Sequence, residues 1–363
     1  MKSEIHIVLI WEKGLNKFES ILYDLKNDFK VLDVSRVKWG NDFFSNNLSR
    51  FYGEKLPDGS FKEKHCGRGD FIVIVIKQSS PIYESRKTSR GDELVNSVLF
   101  DKKALYRKWT GGGHRVHTSN TVAESSHDIF FIFQKKIEDF SSLDSWDGDI
   151  KNREVNIKGF NGWTRFEEMF NFINISSNYV ILRNYEDLNN LKPDSDIDVL
   201  TSDIDFHYHI NGTRKYNHKD RAAYEVEVQG SQYDVDIRTP NDGYYDSNWV
   251  LDIIENKILY KNKFFIPDPV NEFYSLLYHT LIHKNQLSDR YNNKLTELAS
   301  KIDLKISASV LGDRNKMLDL LNIFLSKRKY KITKPHDFSV QYNHTRKGFK
   351  RLVWEMIGKA KNG

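Results

Sequence analysis

Apolar positions along this chain change their spacing several times, and each change marks an element. "IHIVLI" (5–10) reads as a buried strand, and helical spacing follows over about 15–28. "FIVIVIK" (71–77) is a second run rich in β-branched residues, and "SHDIFFIF" (126–133) continues a helical pattern. Strands separated by helices predict a layered unit over 1–145. The polar stretch 141–162 shows no period and reads as the connection. Beyond it the pattern predicts a helix near 163–173, a strand "NYVILR" (178–183) and the alternating strand "DIDVL" (196–200). A hairpin, "AAYEVEVQGSQYDVDIR" (222–238), is expected to turn at Gly230-Ser231. Everything after about Pro269 reads as helices. The expected class is α+β in two domains, over 1–145 and 155–300, with a helical extension and basic tail over 301–363.

The alternation of the second half carries chemistry. In a strand, alternate side chains share a face. Asp196 and Asp198 therefore point one way, and in "QYDVDIR" Asp234, Asp236 and Arg238 share a face in the same manner. Carboxylates aligned on neighbouring strands repel unless a cation sits between them. Hard oxygen ligands suit Mg²⁺ or Mn²⁺, so Asp196, Asp198 and Asp236 are the expected metal ligands. The competing reading is a half-buried strand with its polar face in water.

A second cluster lies at 83–125, where Arg86, Arg90, Arg107, Arg115 and His117 surround a Gly111–Gly113 loop. Arginines around a glycine loop predict an anion site. Alternatively, His114, His117 and the arginines cap and salt-bridge a folded loop. His279 and His283 stand four apart, on one helical face. That spacing suits zinc, but the glutamate of H-E-x-x-H is missing, so a helix lining the cleft is expected, with His283 or Lys284 meeting phosphate.

Composition narrows the classes. The chain has 363 residues, of which 39% are hydrophobic, and no apolar run reaches the ~18–20 residues of a membrane span. "MKSEIHIVLIWEKG" lacks the apolar core of a signal peptide, so a cytoplasmic protein is expected. The single cysteine, Cys66, excludes an internal disulfide framework and a cysteine-built zinc site. The net charge of +5 is that of residues 341–363, where Arg346, Lys347, Lys350, Arg351, Lys359 and Lys361 face only Glu355. Basicity confined to a tail argues against nucleic acid as a partner. Within that tail Phe349, Leu352, Val353, Met356 and Ile357 fall at helical spacing. Such a segment can lie on an anionic membrane surface or dock on the core.

Three resemblances follow from these residues. Ser195-Asp196-Ile197-Asp198, followed by a later strand ending in Asp236, resembles the nucleotidyltransferase superfamily typified by DNA polymerase β. The family's Gly-Ser turn is replaced by Arg183-Asn184, which would meet a phosphorylated donor through charge-assisted hydrogen bonds. "RVHTSNTVAES" is similar to the nucleoside diphosphate kinase motif, with His117 at the phosphate-accepting histidine. The likeness extends through Arg90, Gly91, Asn96 and Arg107 and implies a ferredoxin-like fold. The kinase's Lys-Pro is Trp11-Glu12 here and its Gly-Ser-Asp is Thr118-Ser119-Asn120, so the resemblance implies a retained phosphate pocket without kinase turnover.

Taken together, "RFYG", "SRGDELVN", "YRKWTGGGHRVHTSN", "LRNYEDL", "SDIDVL" and "LLYHTLIHK" resemble the bacterial polysaccharide phosphoribosyltransferases. That resemblance implies transfer of 5-phosphoribosyl from phosphoribosyl pyrophosphate to a glycan or lipid-linked glycan of surface polysaccharide, at the cytoplasmic membrane face. It implies Asp196, Asp198, Asp236 and His117 as catalytic. Arg86, Arg90, Arg107, Arg115, Arg183, Asn184, Asp234, Arg238, His283 and Lys284 are the expected substrate contacts. Two readings from other classes stay open at this point. One is a metal-dependent nucleotidyltransferase or polyol-phosphate transferase acting on a small molecule or glycan. The other is a non-catalytic regulator built from two decayed enzyme domains.

Overall fold

The computed structural model describes residues 3–88, 91–186, 188, 191, 196–203, 205–216, 221–284, 288–311 and 313–343. The chain is a mixed α and β protein in two compact units, Met1–Trp163 and Thr164–Gly363. Among the described residues, no helix is long and apolar enough to cross a membrane.

The first unit begins with β1 (Glu4–Ile10), a 3₁₀ turn, α1 (Phe18–Asp28) and β2 (Lys30–Lys38). It continues through α2 (Phe44–Tyr52), α3 (Phe61–Cys66) and β3 (Phe71–Gln78). The hairpin β4 (Tyr83–Thr88) and β5 (Gly91–Asn96) leads into α4 (Ser97–Trp109), β6 (Val116–Thr118) and α5 (Val122–Phe133). A short α6 (Glu138–Ser141) and β7 (Lys151–Glu154) close the unit. The sheet order is β6-β1-β3-β2-β7, with β1 antiparallel to both β3 and β6. Ile7, Val8, Leu9 and Ile10 are fully buried, because both faces of this central strand are covered; hence the run is continuous rather than alternating. Phe18, Ile21, Leu22 and Leu25 of α1 and Leu99 and Tyr106 of α4 pack on one face. Trp11, Trp39, Phe44, Phe51 and Phe71 form an aromatic cluster, with Trp11 and Phe71 ring centres 4.5 Å apart.

β7 lies in the stretch expected to be a plain connection. It pairs in parallel with β2, Ser35 to Lys151 through Lys38 to Glu154, as an edge strand. Its sequence, KNRE, has no apolar member, so no hydrophobic alternation announces it. Charged edge strands of this kind discourage pairing with other chains.

The second unit opens with α7 (Phe166–Ser176), β8 (Tyr179–Ile181) and β9 (Asp196–Thr201). After α8 (Phe206–His209) and β10 (Thr213–Arg214) come the long strands β11 (Ala223–Val228) and β12 (Ser231–Arg238). The remaining elements are α9 (Ser247–Glu255), β13 (Ile258–Tyr260), β14 (Phe264–Ile266), α10 (Pro269–Tyr278), α11 (Asp289–Lys301), α12 (Ala308–Leu311) and α13 (Arg314–Arg328). The sheet order is β10-β11-β12-β9-β8, with β9 antiparallel to β8 and parallel to β12. Val180, Leu182 and Leu200 of this sheet share a core with Trp249, Ile253, Phe273, Leu277, Leu298 and Leu321. Residues 301–325 thus contribute to the same core as β8 and β9.

Two local details differ from expectation. The β11–β12 turn is Gln229-Gly230, with φ of 54° and 72°, and Ser231 already pairs with Val228. Positive φ at both positions is the type I′ geometry, and the Val228–Ser231 pair puts the turn one residue earlier than Gly-Ser suggests. The C-terminal part is not all helix either. After α13 the described chain runs without regular structure to Asn343, whose amide donates to the Ile282 carbonyl at 2.9 Å.

Candidate functional site

The strand register assembles the second unit's site. β9 and β12 run in parallel with Asp234 opposite Asp196 and Asp236 opposite Asp198. Opposed residues of parallel strands point to one side, so four carboxylates share a face. Asp196, Asp198 and Asp236 line a cleft of about 780 Å³. Asp234 does not line it; both of its oxygens accept from Lys215 Nζ, at 2.8 and 2.6 Å.

Each of two cleft carboxylates already has a guanidinium. Arg183, just past β8, donates from Nε to Asp198 Oδ2 at 2.8 Å and from Nη2 to Oδ1 at 2.7 Å. The same Nη2 reaches the Tyr244 hydroxyl at 2.8 Å, and that oxygen lies 3.0 Å from His279 Nδ1. Arg238 donates to Asp236 at 2.8 Å and to Asp337 at 3.0 Å. Asp196 has no hydrogen bond or ion pair among the described residues. Burial, followed by Asp236, Asp198 and Asp234, raises its pKa above the usual carboxylate value. The Asp236 carboxyl is raised too, by burial first, while Arg238 pulls the other way.

The opposite wall is basic. α10 ends in a π-helical turn, His279–His283, closed by the Lys284 amide on the His279 carbonyl at 3.0 Å. That wider turn sets His279, His283 and Lys284 along the cleft with Arg290, whose Nη2 donates to Asn184 Oδ1 at 3.1 Å. Asn184 has φ of 58°, a left-handed backbone that asparagine tolerates and glycine usually supplies. Ser339, Val340 and Gln341, in the irregular segment after α13, complete the rim.

These side chains suit a divalent cation in chemistry: they are hard oxygen donors, and the unpartnered Asp196 is crowded by like charge. The side chains as placed do not converge on one point, because the arginines draw Asp198 and Asp236 to themselves. Among the described residues, the one set of three metal-ligating side chains with ligand atoms within 4.8 Å of one another is His117, Glu124 and Asp128, in the first unit.

His117 sits on β6, buried, with its ring against Phe51 at 5.5 Å and Tyr52 at 5.8 Å between centres. Its Nε2 lies 2.7 Å from Asp128 Oδ2 and 3.9 Å from Glu124 Oε1. Asp128 also takes His127 Nδ1 at 3.2 Å. Burial opposes the Asp128 charge, yet His117 and His127 hold its pKa below the usual value. Cations flank the pair: Arg107 Nε donates to the Val116 carbonyl at 2.9 Å, and Lys103 Nζ to Asn120 Oδ1 at 2.6 Å. Burial lowers the pKa of both. Arg115 turns back onto the Thr110 carbonyl. Arg86 lies on the β4–β5 hairpin in ion pairs with Glu84 and Asp101. Arg90 falls outside the described residues. Glu12 accepts from the Arg68 and Gly69 amides at 2.7 and 2.8 Å.

Several residues of these sites carry no strong sequence signal. Asp128 is the one carboxylate within "SHDIFFIF", a polar residue in an apolar run, which is a usable clue. Tyr244 and Asp337 are isolated in the sequence from every motif they serve.

No family model matches the chain, and no curated protein matches its sequence. Among solved structures, the orthorhombic C222 crystal form of the Aquifex aeolicus nucleoside diphosphate kinase is similar over 36% of this chain and 95% of its own, at 13% identity and a TM-score of 0.25.

Proposed function

We propose that this chain is a metal-dependent transferase that moves 5-phosphoribosyl from phosphoribosyl pyrophosphate to a glycan or lipid-linked glycan, releasing pyrophosphate, in surface-polysaccharide synthesis. The observation that carries this reading is the parallel register of β9 and β12, which aligns Asp196 and Asp198 with Asp236 across a cleft whose other wall is basic. Helix, strand, antiparallel Asp-x-Asp strand and parallel third-carboxylate strand follow in the order expected of a nucleotidyltransferase-like unit. In the first unit, strands β6-β1-β3-β2 with α1 and α4 in their crossovers have the order of a ferredoxin-like sandwich. Its basic rim around His117, with Lys103 and Arg107, suits a phosphate.

Asp196 would hold Mg²⁺ or Mn²⁺ together with Asp198 and Asp236. When bound, the ion neutralises the charge that builds on the leaving diphosphate. Arg183 and Arg238 fix the orientation of Asp198 and Asp236, and Lys284 and Arg290 present positive charge to the donor. The basic tail suits an anionic membrane surface, where lipid-linked acceptors are found.

One observation favours a second reading, a metal-dependent nucleotidyltransferase. Asn184 keeps the left-handed backbone that a Gly-Ser turn would provide, while Arg183 is committed to Asp198 rather than free for a separate phosphate. The two readings separate on the donor. Phosphoribosyl pyrophosphate with Mg²⁺ should raise the melting temperature more than any nucleoside triphosphate at equal concentration. At 100 times its dissociation constant a ligand adds about 2.7 kcal/mol, which is easily seen. Protection by ATP or CTP with none from phosphoribosyl pyrophosphate would replace the first reading with the second.

A further inference from the structure

His283 is 2% exposed and lines the cleft, yet neither of its ring nitrogens has a hydrogen-bond partner among the described residues. Leaving a buried imidazole in that state carries the desolvation cost of an unsatisfied polar group. The π-helical turn that sets it there is itself an element retained mainly at functional sites. Both features are costs that binding a ligand would offset.

The surroundings decide what kind of ligand that is. The rings of Tyr244 and Tyr278 pack against His283 with centres at 4.1 and 5.1 Å, and His279 lies at 5.8 Å. The cations acting on it are Arg183 beyond β8, Arg238 at the end of β12 and Lys284 beside it, and the carboxylates of the same cleft are Asp196, Asp198, Asp236 and Glu186, of which Asp198 and Asp236 pair with the two arginines. Burial, then Arg183 and Arg238, hold its pKa well below the ordinary value, and the Tyr244 backbone opposes them. His279 is held low by burial and by the same cations. The cleft therefore presents a neutral imidazole beside three cations.

We propose that this cleft binds a diphosphate together with one proton, and that His283 is the seat of that proton. The inference rests on the reading of the cleft as a diphosphate site. A polyanion offsets the cations that help keep the ring neutral. Only the imidazolium offers two N–H donors, so only it can satisfy both nitrogens with acceptor-only oxygens. A neutral hydroxyl ligand leaves the field unchanged and brings no proton. No bond between heavy atoms changes: a ring N–H forms with a proton taken from solvent, and that proton returns to solvent when the diphosphate departs. Product release thereby becomes easier as pH rises.

Inorganic pyrophosphate with Mg²⁺, added to the full chain at about pH 7, tests this directly. In protein carrying ¹³C-labelled histidine, the His283 Cε1–H resonance is the one missing from His283→Gln. It should occupy the neutral position without ligand and the imidazolium position at saturation. Should the variant fail to fold, calorimetry of unmodified protein in two buffers of different ionisation enthalpy counts the protons instead. About one is taken up per site after correction for pyrophosphate's own titration. A resonance that stays neutral while other cleft signals saturate, or a count of zero, overturns the proton seat and leaves the diphosphate reading standing. No binding at any concentration overturns both.

Discussion

Arg183 grips both oxygens of Asp198, at 2.8 and 2.7 Å, fifteen residues apart in sequence and on opposite sides of the β8–β9 connection. The pair is nearly buried, with side-chain exposures of 10% and 12%. Breaking one partner of such a pair typically costs about 3–5 kcal/mol, because the other charge is left buried and alone. Asp198→Asn should therefore lower stability by about 3 kcal/mol as well as abolish activity. Urea unfolding measures it, and a loss below about 1 kcal/mol would show the clamp to be weak.

Asp196 should behave in the opposite way. Its folded pKa is raised, chiefly by burial and then by Asp236, so its charge is a penalty at neutral pH. That penalty fades as pH falls through the folded value, where the native state holds the extra proton. Asp196→Asn should thus melt higher than the parent at about pH 7, with the gain vanishing below the ordinary carboxylate range. Metal-dependent pyrophosphate release should drop at least about 100-fold in the same variant. Melting curves across pH check the first claim, and a gain that is constant with pH would refute it.

For the His117–Asp128 pair the sign reverses again. His117 holds the Asp128 pKa down, despite burial, so the pair stabilises above the unfolded carboxylate value and is lost as pH falls through the folded one. Asp128→Asn should remove that acid-sensitive part, costing about 3 kcal/mol at neutral pH and much less in acid. His117→Ala should weaken donor use. A stable phosphohistidine formed from ATP and absent from His117→Ala would instead revive kinase chemistry.

The described C-terminal residues are tied to the core, while 344–363 carry the basic charge. Asp337 is buried against Arg238 and its carboxylate also accepts from the Ala222 amide at 3.3 Å. Deleting 344–363 should reduce binding to anionic vesicles and leave the melting temperature and activity on a soluble acceptor unchanged. Deleting from 336 onward removes the Asp337 partner of Arg238 and should lower the melting temperature by several degrees. Vesicle sedimentation and thermal melting separate the two, and unfolding of the shorter deletion would contradict this division.

The sequence by itself determined which side chains share a face. A strand's period of two is a covalent fact, so Asp196 and Asp198 had to point together, as did Asp234 and Asp236, whatever lay beside them. It likewise determined that β1 and β3 are buried on both sides, since the unbroken apolar runs 7–10 and 71–76 leave no face for water. Tertiary structure decided the partners. Parallel pairing of β9 with β12 brought the two acidic faces together, and only then did Lys215 take Asp234 while Arg183 and Arg238 took Asp198 and Asp236. Asp337 reaches Arg238 from 99 residues away. The turn at Gln229-Gly230, the edge strand KNRE and the Asp128 carboxylate beneath His117 belong to the same class. In each, local composition permits many environments, and packing through space selects the one whose charges and hydrogen bonds are matched.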